Sequence, residues 1–350
     1  MHAARLVAML LLGAGCARAK TGGEPAAAAA ARGEWVGTWA AAQQLTEPRN
    51  LPPEPGLAGS TLRQVVHVSI GGTRLRVRFS NAFGDAPVAI TSAHLARSVG
   101  GDTIESASER ALAFGGKSSV TIPPRGTVVS DPLDYGLAPL ANVAVTVRFA
   151  ETARDVTGHP GSRTTSYLQP GDLVSAPAMP DAARTDHWYV LAGIDVEAGV
   201  ASAAVVALGN SITDGRGSGT NRQNRWPDNL ARRLQADPRT ARVAVLNAGI
   251  GGNCVLRDCL GPAALARLER DVLDQGGARW LIVLEGVNDI GGAQGADSSA
   301  VVARGLIAAY QQIIARAHSR GIRAYGATIL PFGGSFYASP EHEAARQTVN

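Results

Sequence analysis

The hydrophobic pattern of this 350-residue chain changes its period near residue 200, and that change limits the folds the chain can adopt. Between about residues 34 and 190, short runs alternate apolar and charged residues, as in residues 74–79, and are separated by Gly, Pro, Asn and Asp. Runs of this kind form strands with one apolar face. Several such strands with turn-rich spacing predict an all-β sandwich domain, to which we assign residues 34–195.

From residue 201 onward, apolar strands alternate with helical patterns. The predicted strands cover residues 205–208, 243–246, 280–284 and 322–329, and the predicted helices lie near residues 227–234, 263–273 and 298–319. Repetition of strand, helix and strand indicates a parallel sheet with right-handed crossovers. We therefore predict a second, α/β domain over residues 201–350, with a flavodoxin-like doubly wound sheet.

Three loops follow the first three predicted parallel strands and carry the residues of chemical interest. They read Gly-Asn-Ser-Ile-Thr-Asp-Gly at 209–215, Asn-Ala-Gly-Ile-Gly-Gly-Asn at 247–253 and Glu-Gly-Val-Asn-Asp at 285–289. In a flavodoxin-like order these strands are neighbours, so the loops converge on one crevice. Ser211 follows a strand at a sharp turn, which suits a nucleophile, although a serine that caps a helix would fit the same turn.

The other two loops offer hydrogen-bond donors to such a nucleophile. Attack on an ester creates an oxyanion, which must be met by donors about 3 Å away. The backbone N–H groups of Ser211 and Gly252 and the side-chain amide of Asn288 supply three donors without adding charge. These three residues are the predicted catalytic set.

The three segments together resemble the SGNH, or GDSL, hydrolases, a family of esterases and lipases on a flavodoxin-like sheet. The family's nucleophile falls on Ser211, the glycine of its second block on Gly252, and the Asn of its third block on Asn288. Asn210 stands where the family has Asp, which removes a charge beside the nucleophile. The resemblance implies a carboxylic ester hydrolase, and the β-rich first half is similar to that of secreted members.

The family's last block, Asp-x-x-His, supplies the general base, and no such sequence occurs after Asn288. We therefore expect that the hydrolase domain at 201–350 is C-terminally incomplete and that the base lies beyond residue 350. Among the seven histidines, His159 is the one predicted to lie on an irregular loop within reach of the crevice. A structural or substrate-contacting role is expected for it rather than catalysis.

Acidic and sulfur-containing residues near the site suggest no cofactor and no metal. Asp214 and Asp289 are accompanied by no His or Cys cluster with ligand spacing, so we interpret both as acceptors that order their loops. Cys254 and Cys259 can form a disulfide in an exported protein, and two free thiols are the alternative.

The N-terminus has the pattern of an export signal. A short apolar run is followed by small residues around Cys16, which predicts a signal peptide over residues 1–19, with lipoprotein processing at Cys16 or ordinary cleavage at Ala17-Arg18-Ala19. Residues 20–33 include six consecutive alanines and are predicted to be a tether. A secreted protein or a bacterial cell-surface lipoprotein is expected, with membrane contact only through a lipid on Cys16.

Taken together, these features predict a serine esterase that acts through an acyl-enzyme on Ser211, on short-chain esters or on O-acetyl groups of carbohydrate. The alternative is a catalytically silent surface protein that binds carbohydrate through the β-rich half. The formal charge of +4 forms no dense basic stripe, so nucleic acid is not expected as a partner.

Overall fold

The chain is represented by a computed structural model, which describes residues 34–152, 154–199 and 201–350. The predicted signal peptide, Cys16 and the Ala-rich tether lie outside these residues.

The first half consists of short strands, and their alternation explains the core. In the strand Gly72–Ser80, the side chains of Leu75, Val77 and Phe79 are fully buried, whereas the arginines between them are partly exposed. The strand Asn142–Phe149 is buried on both faces. A second, small apolar cluster that includes Ala144 covers its other face. Alternation therefore locates the core face, as expected for sheets with one packed side.

The strands, in chain order, have the following bounds: β1 Glu34–Ala40, β2 Gln44–Leu45, β3 Ser60–His67, β4 Gly72–Ser80, β5 Val88–Gly100, β6 Thr103–Ile104, β7 Arg110–Ala111, β8 Val120–Ile122, β9 Thr127–Val129, β10 Leu133–Leu137, β11 Asn142–Phe149, β12 Thr157–His159, β13 Ser166–Pro170, β14 Ala183–Thr185, β15 Trp188–Tyr189, β16 Leu191–Ala198, β17 Ala203–Gly209, β18 Val243–Gly249, β19 Ala278–Leu284 and β20 Arg323–Gly326. The helices are α1 Ser211–Asp214, α2 Trp226–Gln235, α3 Ala264–Leu268, α4 Val287–Gly291, α5 Gly295–Ser319 and α6 Pro340–Val349. Two 3₁₀ turns cover Pro48–Asn50 and Ser106–Ser108, and a π-helical turn at Glu269–Leu273 continues α3.

Strands β1 to β16 form antiparallel sheets. One sheet has the order β1-β16-β4-β10 with β9 beside β4, and another has the order β14-β13-β3-β11-β5-β6 with β7 and β8 beside β5. A small sheet has the order β15-β12-β2. These strands hold the loops that face the α/β part of the chain.

The remaining four strands form a parallel sheet in the order β18-β17-β19-β20. The first strand, β17, is buried along its whole length and lies between β18 and β19. Gly209 is level with Gly249 on one side and with Leu284 on the other. The three loops of chemical interest therefore leave the sheet at the same edge, which confirms the predicted adjacency of the three strands.

Strand β20 ends at Gly326, three residues before the predicted end at residue 329. Ala327 still donates its N–H to the carbonyl of Val283 at 2.8 Å. Farther on, the side chain of Asn350 bonds both backbone groups of Ile329, at 2.8 and 3.0 Å. The backbone there is satisfied by a side chain instead of a strand partner.

One connected hydrophobic core runs through the antiparallel sheets and the parallel sheet. Strand β1 packs beside β18, and Gly37 donates its N–H to the carbonyl of Gly276 at 2.9 Å. The domain boundary predicted between residues 195 and 201 falls between β16 and β17, and it stays a prediction. None of the helices in the described ranges is both long and apolar enough to cross a bilayer.

Candidate active site

Ser211 is the first residue of α1 and follows directly from the buried strand β17. Asn210 caps this helix, since its Oδ1 accepts the N–H of Ile212 at 3.0 Å. The side chain of Ser211 is half-buried, and its hydroxyl has no hydrogen-bond partner among the described residues. The hydroxyl of Ser211 therefore lies at the carboxyl edge of the sheet and is available to a substrate.

Backbone N–H groups of Ser211 and Gly252 lie at the same edge. Within the described part of the chain, neither group has a hydrogen-bond partner. Gly252 has a φ of 69°, and a Cβ on it would meet the side chain of Leu260 at 2.7 Å. Both the conformation and the space at this position require glycine.

The amide of Asn288 is held from two sides. Its Nδ2 donates to the carbonyl of Asn253 at 2.7 Å, and its Oδ1 accepts the hydroxyl of Tyr337 at 2.9 Å. These partners fix which end of the amide is the donor, and they leave the second Nδ2 proton for another acceptor. Gly291 lets the ring of Tyr337 approach, because a Cβ there would lie 2.2 Å from it.

Ser211, Gly252 and Asn288 line one cavity of about 630 Å³. Its far wall comes from the antiparallel part of the chain, including Arg49 and Pro160. The structure thus brings all three predicted site residues together, and it places them against loops from the first half of the sequence.

His159 does not lie on an irregular loop, and this part of the prediction is wrong. It belongs to β12, its ring is buried, and it stacks on Trp188 with ring centroids 5.7 Å apart. Its Nδ1 lies 2.8 Å from the carbonyl of Ala42, and its Nε2 lies 2.9 Å from Oδ1 of Asp214. A carbonyl only accepts, so Nδ1 is the donor to Ala42, and Nε2 faces the carboxylate of Asp214. Both ring nitrogens therefore have partners other than Ser211, and His159 cannot serve Ser211 as a base.

The other described histidines also make contacts away from Ser211. His342 in α6 lies near the carbonyls of Tyr337 and Ala293, and His187 near the carbonyl of Pro160. His67 bonds the side chain of Asn142. Among the described residues, no histidine is hydrogen-bonded to Ser211.

Arg267, which we did not single out from the sequence, joins the ends of the parallel strands. Its guanidinium is fully buried and donates to the carbonyls of Gly209 at 3.1 Å and Ala248 at 2.7 Å. It also donates to Oδ1 of Asn253 at 2.8 Å, and it lies 3.5 Å from Glu285. One cation therefore fixes three strand ends and the residue whose carbonyl holds Asn288.

Glu285 is a fully buried carboxyl beneath the nucleophile loop. Burial raises its pKa from 4.5 to about 8, against the attraction of Arg267, and Asp289 adds to the rise. Within the described residues, its Oε2 has no hydrogen-bond partner. A neutral carboxyl fits this environment better than a carboxylate.

Asp289 orders the second loop, as predicted. Its carboxylate accepts the N–H groups of Val255 and Leu256 at distances of 2.9 to 3.1 Å. Cys254 and Cys259 flank this stretch and form a disulfide, which confirms the predicted pairing and excludes the two free thiols. Asp214 instead pairs with His159. No group of three or more His, Cys, Asp and Glu in the described ranges could hold a metal ion.

A serine hydroxyl and three N–H donors at the carboxyl edge of a parallel sheet define a hydrolase-type site on an α/β fold. The sequence model of the GDSL-like lipase/acylhydrolase family matches residues 207–350. This match confirms the family resemblance predicted from the three loops. The antiparallel strands up to β16 lie outside the match.

Solved structures similar to this chain include a lipolytic protein of the G-D-S-L family from Desulfitobacterium hafniense. It shares 23% identity with this chain, the match covers 42% of this chain and 69% of that one, and the TM-score is 0.30. AlinE4, an SGNH-hydrolase family esterase, shares 19% identity over 43% and 69% of the two chains, with a TM-score of 0.31. An acylhydrolase from Bacteroides fragilis shares 20% identity over 41% and 58%, with a TM-score of 0.28. No curated protein matches the chain. These values are too low to carry a functional conclusion.

Proposed function

We propose that the protein is a serine esterase that forms an acyl-enzyme on Ser211. The observation that carries the proposal is the free hydroxyl of Ser211 beside the unpaired N–H groups of Ser211 and Gly252 and the fixed amide of Asn288, all on one cavity. Oγ of Ser211 attacks the ester carbonyl, and the three donors stabilise the oxyanion that forms. The alcohol leaves, and water then releases the acyl group.

The attack requires a base that takes the hydroxyl proton and later gives it to the leaving alcohol. Since no described histidine contacts Ser211, we propose that this base is the histidine of an Asp-x-x-His segment that residues 34–350 do not supply. Without a base, only the stabilisation of the oxyanion remains, and hydrolysis is expected to be slow.

We also propose a two-domain architecture and an exported location for this esterase. Residues 201–350 would form a doubly wound hydrolase domain, and residues 34–195 a sandwich that closes one side of the cavity. Substrates would be short-chain esters or O-acetyl groups on carbohydrate, reached by a secreted or lipid-anchored protein. The described strand order β18-β17-β19-β20 supports the first point, because it matches the start of the flavodoxin-like order.

A catalytically silent carbohydrate-binding protein is the second candidate. The observation in its favour is that His159 is fully engaged by Ala42 and Asp214, and that no other described histidine is bonded to Ser211. In that case the hydroxyl of Ser211 would have no special reactivity.

Two measurements on the 350-residue chain distinguish these candidates. A fluorophosphonate should label Ser211, as read by mass spectrometry of the peptide. Imidazole, added as a substitute base, should raise the hydrolysis of 4-nitrophenyl acetate by the chain but not by Ser211→Ala. The matched control is Ser218→Ala, a serine near the site that does not line the cavity. Equal labelling and equal imidazole response in Ser211→Ala would exclude the esterase and favour the binding protein.

A further inference from the structure

Three arginine side chains line the cavity that contains Ser211, and each comes from a different segment. Arg49 lies in the 3₁₀ turn Pro48–Asn50, Arg163 in the loop after β12, and Arg216 directly after α1. In the part of the chain that the structure describes, none of the three guanidinium groups has a hydrogen bond or an ion pair. Unpaired cations from three segments around one cavity leave it with excess positive charge.

The acidic groups of the cavity do not balance this charge. Glu47 accepts side-chain hydrogen bonds from Gln44 and Asn50 at 2.9 and 2.8 Å and forms no ion pair with another described residue. Asp214 is buried and already paired with His159. Two carboxylates therefore stand against three guanidinium groups, and the net positive charge attracts an anion that enters the cavity more than a neutral molecule.

The loop that carries Arg163 is held in an uncommon conformation. Arg163 has a φ of 51°, a left-handed value that costs a residue with a side chain on the order of 1 kcal/mol. Its carbonyl accepts the N–H of Asn221 at 2.9 Å, and Thr165 donates its N–H to Oδ1 of Asn221 at 2.8 Å. Nε of Arg163 is buried without a hydrogen-bond partner in the described residues. The fold thus fixes a strained arginine with an unused donor on the cavity wall.

We propose that the substrate is an ester that carries an anionic group, a carboxylate or a sulfate, bound by Arg49, Arg163 and Arg216. This inference rests on the proposed esterase and names its substrate class. Planar guanidinium groups match the two oxygens of a carboxylate or sulfate, which a neutral ester lacks. The anion would be held at the wall that the antiparallel part of the chain contributes, while the ester reaches Ser211.

Matched ester pairs test the preference. With imidazole present, the chain should hydrolyse 4-nitrophenyl monosuccinate or 4-acetoxybenzoate with a higher kcat/KM than the neutral partners 4-nitrophenyl butyrate or 4-acetoxybenzamide. The first pair places the charge on the acyl side and the second on the alcohol side. A preference of roughly tenfold is expected in one of the two ester pairs, since each of the three partly exposed ion pairs contributes about twofold. It should decline between 50 and 500 mM salt.

The variant with Arg49→Gln, Arg163→Gln and Arg216→Gln should lose this preference, so that its kcat/KM for each anionic ester equals its kcat/KM for the neutral partner. The control with Arg233→Gln, Arg304→Gln and Arg323→Gln removes the same charge from exposed arginines that lie off the cavity, and it should retain the preference. Equal kcat/KM for both members of both pairs, or the same loss in the two triple variants, would overturn the proposal.

A binding measurement separates this inference from the proposed esterase. In Ser211→Ala, the dissociation constants of 4-acetoxybenzoate and succinate should be about tenfold lower than those of 4-acetoxybenzamide and succinamide, by ligand-observed NMR, and the arginine variants should abolish the difference. If this holds while Ser211 shows no reactivity, the anion site stands and the esterase fails. If Ser211 reacts but no anion preference is found by either method, the esterase stands and the anion site fails.

Discussion

The buried carboxyl of Glu285 should make the stability of the protein fall as the pH rises, and Glu285→Gln should remove this dependence. Burial is the main reason that its pKa is raised from 4.5 to about 8. Between these values the folded state binds a proton that the unfolded state has lost. Glutamine has nearly the same shape as the protonated acid but cannot ionise. Arg267 keeps a carboxylate partner in the variant, since Asp271 lies 3.1 Å away.

The sign follows from proton linkage. Below pH 4.5 both states bind the proton, and the contribution of the neutral carboxyl is fully present. Between pH 4.5 and about 8 the unfolded state binds fewer protons, so the free energy of unfolding decreases with pH and levels off above 8. The pKa difference between 4.5 and about 8 lowers the free energy of unfolding by at most about 5 kcal/mol, since one pKa unit is worth about 1.4 kcal/mol.

Urea unfolding of both proteins at several values from pH 5 to 9 measures the effect. At pH 5 the two free energies of unfolding should agree within about 1 kcal/mol, because one neutral side chain replaces another. At pH 9 the variant should be the more stable protein by several kcal/mol. Glu34→Gln, at an exposed carboxylate, tests whether the loss of any carboxylate has this result. Parallel curves for wild type and Glu285→Gln would refute the argument.

Four further substitutions test the site. Asn288→Ala should remove one oxyanion donor and lower the imidazole-supported kcat by an amount that corresponds to about 3 kcal/mol of transition-state stabilisation, with little change in KM. A change confined to KM would contradict this role. Tyr337→Phe should lower the same kcat roughly fivefold, for one lost hydrogen bond of about 1 kcal/mol, whereas the exposed Tyr325→Phe should not. Relative to wild type, Asn210→Asp should lose stability as the pH rises through about 8 in urea unfolding, because a carboxylate beside Glu285 raises the pKa of that acid further; a difference from wild type that does not change with pH would argue against that contact. Cys254→Ser should cost about 2 kcal/mol in urea unfolding, the entropy of closing so short a loop, and an unchanged midpoint would show that the disulfide adds nothing.

The sequence predicts the parts of this fold that depend on neighbours along the chain. Period-2 alternation in β4 and the fully apolar β17 indicate how each strand is buried. The loops after β17, β18 and β19 follow from where these strands end. Because the parallel register then brings the strand ends level, Ser211, Gly252 and Asn288 meet without any information from distant residues.

Features that depend on distant pairs could not be predicted in this way. The flanking Gly and Pro predict a loop at His159, but β12 is held between β2 and β15, and the partner of its histidine, Asp214, lies far along the chain. Arg267 on α3 looks like one of several helical arginines. A signal was present for Glu285, since an acid directly after an apolar strand is unusual outside a polar network.

The buried cluster also gives a physical reason for Asn210, where the family has Asp. Asn210 caps α1 through its oxygen, a task that either side chain performs. Its amide also lies close enough to Glu285 to lower the pKa of that acid slightly, which a carboxylate could not do. With Asp at 210, a second buried carboxyl would lie beside Glu285, and one of the two would have to be neutral. Asparagine keeps the cap and supplies a donor in place of a second acid. Asparagine therefore preserves the geometry of the nucleophile loop, and the change from Asp affects only the charge beside Glu285.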